Sequence, residues 1–303
     1  MPFSTLTLRP DLLPSLAILL GGALWGLFWV PVRALGDLGL GGAWPAAMIF
    51  GGCLCLLLPV LPFRMRQLAN SWRVVALGGL FTGTALSFYS ISLLMTDVVH
   101  SLLLFYLTPI WSTALGIALL GERLTFSRLG ALAFGAAGQA VVLGGGEGVP
   151  WPRNLGDWLA LGAGMAWSFG SLRLYHVGTV AVPEQILAFT LGSLVVIFTA
   201  IAVGGAPFGG VPSADTVRAA APWGLLVALF VLPTVFLTMW PAMLLSPGRV
   251  GILLMSEVVV GVASVAAFTG EPFGGREALG TTLIFHALVS SLRLRDEIAS
   301  ART

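Results

Sequence analysis

The chain has 303 residues, 57% of them hydrophobic and only 9% charged, with a formal net charge of +2 at pH 7. Soluble domains carry about a quarter charged residues, so this composition excludes an ordinary water-soluble enzyme or scaffold and makes lipid the expected solvent. All 15 basic residues are arginine, and they are dispersed between apolar blocks without forming a patch, which leaves no footprint for nucleic acid.

Ten apolar blocks follow one another, most of them near the length of about 20 residues that crosses roughly 30 Å of hydrocarbon. The first, Leu12–Val32, contains Gly22-Ala23-Leu24-Trp25. It is too long for the apolar part of a cleaved signal peptide and is read as a span. Ala43–Leu61 holds both cysteines, Cys53 and Cys55; two residues apart on a helix, they face nearly opposite sides and can share neither a bridge nor a metal. Val74–Leu94 brings hydroxyls, among them Thr82, Ser87 and Tyr89. Ser101–Leu120 brings Tyr106, Thr108, Ser112 and Thr113, with Pro109 inside the apolar run. Leu129–Gly144 closes the first half, and its Gly130, Gly135 and Gly138 suit close packing within the chain or between copies. The stretch GGEGVPWPRNL at 145–155 reads as a joint. The second half follows with Gly156–Leu174 (containing Gly164-Met165-Ala166-Trp167), Gln185–Val203, Pro222–Leu245, Val250–Phe268 and Ala278–Leu292.

With the N-terminus in the cytoplasm, Arg33, Arg153, Arg218 and Arg276 fall outside and the other arginines of the 15 fall inside, as the positive-inside rule requires. The expected fold class is therefore an all-α integral membrane protein of ten transmembrane helices with both termini cytoplasmic. Five spans is an odd number, so a duplicated unit must be inverted about an axis in the membrane plane. The expected division is a first five-helix repeat at 1–145, an outer linker at 146–155 and a second repeat at 156–303. Internal likeness supports it: Gly22-Ala-Leu-Trp25 matches Gly164-Met-Ala-Trp167, and the fourth and ninth spans both end in Gly-Glu, at Gly121-Glu122 and Gly270-Glu271.

Few residues are placed to carry chemistry. Tyr106, Pro109 and Thr113 fall at i, i+3 and i+7 and share one helix face. Pro109 cannot donate to the carbonyl of Phe105, and irregular backbone at membrane depth occurs where it lines a cavity or is buried in protein. Pro233, Pro241 and Pro247 are further hinge candidates. The hydroxyls by themselves require no cavity, because each has an outlet on the carbonyl four residues back. Trp25, Trp111 and Trp167 lie mid-span instead of in an interfacial belt; they either pack in the core or wall a substrate cavity. Trp29 and Arg33 continue the Trp25 face outward, as a cation–π run or as an anchor. Glu257 is the single acid well inside a span. A carboxyl at that depth is costly, and it is either a proton or substrate site or an acid held in a structural hydrogen bond. His100 and His176, at span ends, are expected in solvent, and His286 packed within the tenth span. No nucleophile–base set, phosphate loop or metal constellation appears, so no enzyme activity, cofactor or metal is expected.

The chain resembles the drug/metabolite transporter superfamily in its ten-helix EamA-type branch. The likeness rests on Gly22, Trp25 and Gly26 in the first span, Thr108-Pro109, Leu120-Gly121-Glu122-Arg123-Leu124, and Gly270-Glu271-Pro272. It looks most like the bacterial aromatic amino acid exporters of the inner membrane. The resemblance implies a cavity between the first four helices of each half, involving Trp25, Tyr89, Tyr106, Pro109, Trp167, Trp240 and Glu257, and export by alternating access. One departure is that Glu257 is followed by Val258 where the family often has proline, so a break there is expected from Ser246-Pro247-Gly248. The expected function is secondary export of amino acids, aromatic ones favoured, or of related amphipathic metabolites. The partners are that small-molecule substrate and the lipid bilayer. The alternative is efflux of cationic drugs or polyamines, with Glu257 as counter-charge or proton site.

Overall fold

In the computed structural model, residues 11–121, 125–143, 151–176, 180–269 and 274–293 are described. They form helices, and no strand occurs among them. The first half contains α1 (Leu12–Trp25), α2 (Trp29–Asp37), α3 (Trp44–Leu57), α4 (Leu61–Met95), α5 (Val98–Phe105), α6 (Thr108–Leu120) and α7 (Phe126–Leu143). The second contains α8 (Leu155–His176), α9 (Val182–Gly204), α10 (Ala214–Ala242), α11 (Pro247–Leu254), α12 (Ser256–Thr269) and α13 (Gly275–Arg293), with a 3-10 turn at Ala206–Phe208.

Taken end to end, α1–α2, α5–α6 and α11–α12 each make one long segment. With α4, α9 and α10 there are 6 helical segments long and apolar enough to cross a membrane, and Trp44–Leu57, Leu129–Val142 and Ala278–Leu292 are shorter apolar helices. Their outer surface is apolar too. Leu16, Leu20, Val195, Phe198, Leu226, Leu229 and Phe285 are all exposed, as befits helices solvated by lipid and apolar all round. At 35 residues, α4 is about 50 Å long, well beyond the hydrocarbon thickness. Its excess is the first turns, which carry Arg64, Arg66 and Arg73 and are largely exposed.

The three interrupted segments have different local causes. Between α1 and α2 the Leu27 and Phe28 amides donate to Leu24 and Trp25 carbonyls at 3.0 and 2.9 Å, a tight turn. Between α5 and α6, Pro109 has no amide to offer Phe105, and the Thr108 hydroxyl donates to the Phe105 carbonyl instead, at 2.5 Å. Between α11 and α12 the Met255 amide reaches back only three residues, to the Ile252 carbonyl at 3.1 Å. This last break corrects the expectation at Pro247, which sits in the first turn of α11 and starts that helix without interrupting the segment. Proline is tolerated in a first turn because the missing amide would be unbonded there anyway. Pro233 and Pro241 likewise leave α10 continuous from Ala214 to Ala242.

Helix pairing crosses the two halves. α4 packs on α8 and α9, α10 packs on α1 and α3, α5–α6 packs on α8, α11–α12 packs on α1, and α7 packs on α13. Glycine permits the last contact: a Cβ at Gly138 would lie 2.6 Å from the Gly280 carbonyl oxygen, so the two backbones touch where only hydrogen fits. At one end of the molecule Arg249 in α11 is buried and donates to the Asp11 carboxylate at 2.7 Å, before α1 begins.

Candidate central site

A small cavity lies where the interrupted segments meet. Its walls are Trp25, Leu86, Tyr89, Phe105, Trp167, Thr238, Leu254 and Glu257, and its volume is about 20 Å³, room for about one water-sized molecule. The chamber is closed around Glu257 in this conformation. The α1–α2 turn holds the wall close: a Cβ at Gly26 would lie 2.7 Å from the Glu257 carbonyl oxygen and 2.8 Å from the Gly261 nitrogen.

Glu257 is buried at the start of α12. Its Oε2 accepts a hydrogen bond from the Tyr106 hydroxyl, and its Oε1 has no partner. Tyr89 faces the same carboxyl and stacks on Phe105, centroids 4.7 Å apart. Among the described residues no arginine or histidine is within ion-pair distance of Glu257. A lone buried acid must be neutralised by a proton or by a cationic group brought to it. Tyr106 is itself fixed from behind, since the Gln139 side-chain amide in α7 donates to the Tyr106 carbonyl at 2.8 Å.

The two mid-span tryptophans on the wall differ. Trp25 Nε1 donates to Thr238 Oγ1 at 3.0 Å, and that hydroxyl in turn donates to the Thr234 carbonyl at 2.5 Å. Trp167 Nε1 has no partner. The closed chamber therefore contains one unused acceptor, Glu257 Oε1, and is walled by one residue with an unused donor.

Of the residues singled out from sequence, Trp25, Tyr89, Trp167 and Glu257 line this cavity and Tyr106 bonds to Glu257. Pro109 lies outside the lining, packed on Gly251, where an added Cβ would sit 3.0 Å from Pro109 Cα. Thr113 is buried with an unpartnered hydroxyl and does not line the cavity. Trp240 stands elsewhere, half-buried and stacked on the exposed Phe236 with centroids 6.1 Å apart. His286 is exposed and meets Phe134 edge-on at 4.5 Å, and His100 is largely buried, 3.4 Å from the Asp157 carboxylate. Gly121 ends α6 in the left-handed conformation; Glu122 and Glu271 lie outside the described residues. Phe105, Leu86, Leu254 and Thr238 were not foreseen as cavity wall, and Gln139 was missed although a glutamine alone in an apolar run is a visible signal.

No curated protein matches the chain. A crystal structure described as "Crystal structure of protein" superposes with a TM-score of 0.67 at 19% identity, covering 96% of this chain and 98% of that one. A likeness at that identity establishes the fold and not the activity. Residues 12–144 match the EamA-like transporter family, so the first half of the chain is similar to that family, in keeping with the 6 helical segments long and apolar enough to cross a membrane.

Proposed function

We propose that the protein is a secondary transporter that exports amino acids, aromatic ones favoured, and related amphipathic metabolites across the bacterial inner membrane. The observation that carries the reading is Glu257, buried without a cationic partner inside a wall of Trp25, Tyr89 and Trp167. An ammonium group placed there gains a counter-charge and aromatic faces together, and a flat ring gains Trp and Tyr to stack on. The unpartnered Trp167 Nε1 is a donor of the kind a substrate carboxylate needs.

The architecture proposed is ten spans in two inverted repeats, 1–145 and 156–303, both termini cytoplasmic. What supports it is the reciprocity of helix pairing: α4 on α8 and α9 has its counterpart in α10 on α1 and α3. Gly22 and Gly164 also occupy like settings. Added Cβ atoms would meet Leu254 and Ser256 at Gly22, and Phe105 and Thr108 at Gly164. These are the breaks of the ninth and fourth spans. Alternating access then amounts to rocking of one bundle on the other about the broken segments.

In proteoliposomes loaded with labelled phenylalanine, Glu257→Gln should lower exchange by about tenfold or more, the loss expected when a charge-assisted contact of roughly 1.4 kcal/mol or more goes. Unchanged exchange would remove Glu257 from the site. The second reading, efflux of organic cations, is favoured by the same unpaired carboxyl. It predicts that phenylalanine does not compete with a lipophilic cation in the wild-type protein.

A further inference from the structure

A second, larger cavity lies beyond the central one. It has a volume of about 700 Å³, and its walls include Trp29, Arg33, Asp37, Leu93 and Phe268. That is ample for a small organic molecule, whose sites run about 300–1,000 Å³. The partition between the cavities is the α1–α2 interruption. Trp25 lines the inner chamber and Trp29, one turn on, lines the outer. Trp29 is held there by a hydrogen bond from Nε1 to Ser264 Oγ at 2.9 Å, and Ser264 also donates to the Gly26 carbonyl at 3.3 Å.

The outer cavity carries one anchored cation, Arg33, and one exposed anion, Asp37. Arg33 is half-buried; its Nε and one Nη donate to the Leu93 and Thr96 carbonyls, both at 3.3 Å. Those carbonyls end α4 and have no helical partners, so the guanidinium is anchored in place without being neutralised. Asp37 lies four residues on, the spacing at which helix side chains are neighbours about 5–6 Å apart at Cβ. Yet neither forms an ion pair with the other or with any described side chain. Two unneutralised opposite charges beside the Trp29 and Phe268 rings, whose centroids are 6.5 Å apart, match the groups of an amphipathic zwitterion.

We propose that this cavity is a distinct binding station for zwitterionic α-amino acids with apolar side chains. Arg33 takes the carboxylate, Asp37 takes the ammonium, and the ring or chain lies against Trp29 and Phe268. The proposal rests on the transport reading for its ligand class, but it assigns a site separate from Glu257. Arg33 is the specificity-determining residue: it selects amino acids over the corresponding amines, which the carboxyl-lined central chamber does not do.

The test measures equilibrium binding of labelled phenylalanine to the full-length detergent-solubilised protein, with phenethylamine and 3-phenylpropanoate as competitors. Glu257→Gln impairs the central chamber and so serves as the background in which the remaining phenylalanine binding reports the outer cavity. Adding Arg33→Gln is expected to weaken phenylalanine by about tenfold, the loss of one charge-assisted contact, while leaving phenethylamine unchanged. Asp37→Asn should close the gap between phenylalanine and 3-phenylpropanoate. A variant that merely misfolds lowers all three ligands together, so the ratios report the site, and Arg33→Lys, which keeps the charge, should restore part of the preference. The proposal is overturned if Glu257→Gln abolishes all phenylalanine binding, or if Arg33→Gln leaves the amino acid to amine ratio as in wild type. Failure of the transport reading is distinguishable, because it shows as wild-type liposomes that do not exchange phenylalanine although the Arg33-dependent binding is present.

Discussion

The Glu257 carboxyl accepts a hydrogen bond from the Tyr106 hydroxyl and faces Tyr89, and the Tyr106 carbonyl accepts one from the Gln139 amide. Each member of this chain is therefore sensitive. Tyr106→Phe removes the bond to Oε2 and leaves the buried carboxyl with the Tyr89 hydroxyl alone. It should lower stability in detergent by about 1–3 kcal/mol, the cost of orphaning a buried polar group. Thermal unfolding of the purified protein measures it, and no shift would mean that the carboxyl finds another donor. Gln139→Leu should cost about 1 kcal/mol through the orphaned Tyr106 carbonyl and should also alter phenylalanine exchange, because it frees Tyr106 to turn. Glu257 was legible from sequence because a lone acid among valines has no inexpensive explanation in lipid. Its partners were less so. A threonine such as Thr238 satisfies itself on the Thr234 carbonyl whether or not a tryptophan also reaches it, so its cavity role leaves no mark in the spacing.

At the level of helices, bends follow neighbours more than prolines. α10 passes through Pro222, Pro233 and Pro241 without interruption, whereas the segment of α11 and α12 breaks at Met255, which no proline adjoins. The cause lies in packing: Gly26 brings the α1–α2 turn against the Glu257 and Gly261 backbone, a contact between residues more than 200 positions apart that local sequence cannot report. The glycines of α7 show the same limit, because in sequence they are equivalent and in the fold they are not. Gly138 faces the Gly280 carbonyl, Gly135 faces the Met255 side chain, and Gly130 has nothing within 4 Å. Gly138→Val should therefore force α7 from α13 and destabilise by about 1–3 kcal/mol, the usual cost of overpacking. Gly130→Ala should be neutral or stabilising by about 0.5–1 kcal/mol, through helix propensity and a less flexible unfolded chain. Thermal unfolding of both variants checks the pair. Equal effects would show that the α7–α13 contact does not limit stability.

For the molecule as a whole, composition and block length made the all-helical, lipid-solvated fold legible, because lipid forces every span to satisfy its backbone within a helix. What they left open is which end is sealed. The two cavities differ in size, about 20 Å³ at the centre and about 700 Å³ beside Arg33, so the structure is wide on one side of Trp29. On the opposite side, Arg249 and Asp11 tie the start of α11 to the start of α1 at 2.7 Å, and Arg64 in α4 lies 3.4 Å from Glu184 in α9. Arg249 is the more buried of its pair, with side-chain exposures of 5% and 23% for Arg249 and Asp11. Removing one partner of a buried pair costs far more than the pair itself contributes. If access alternates, this tie must open whenever the wide side closes, and weakening it should shift the population toward the state open at that end. Asp11→Asn keeps the shape and removes the charge. In a background with Cys53 and Cys55 replaced by alanine, a cysteine at Leu254, which lines the central chamber, should then react several-fold faster with a membrane-impermeant thiol reagent added from the Asp11 side. A shift of about 1 kcal/mol corresponds to roughly fivefold in population. The same variant should react no faster from the Arg33 side. Faster labelling from both sides would mean general loosening, and no change from either would show that the Asp11–Arg249 tie does not govern access.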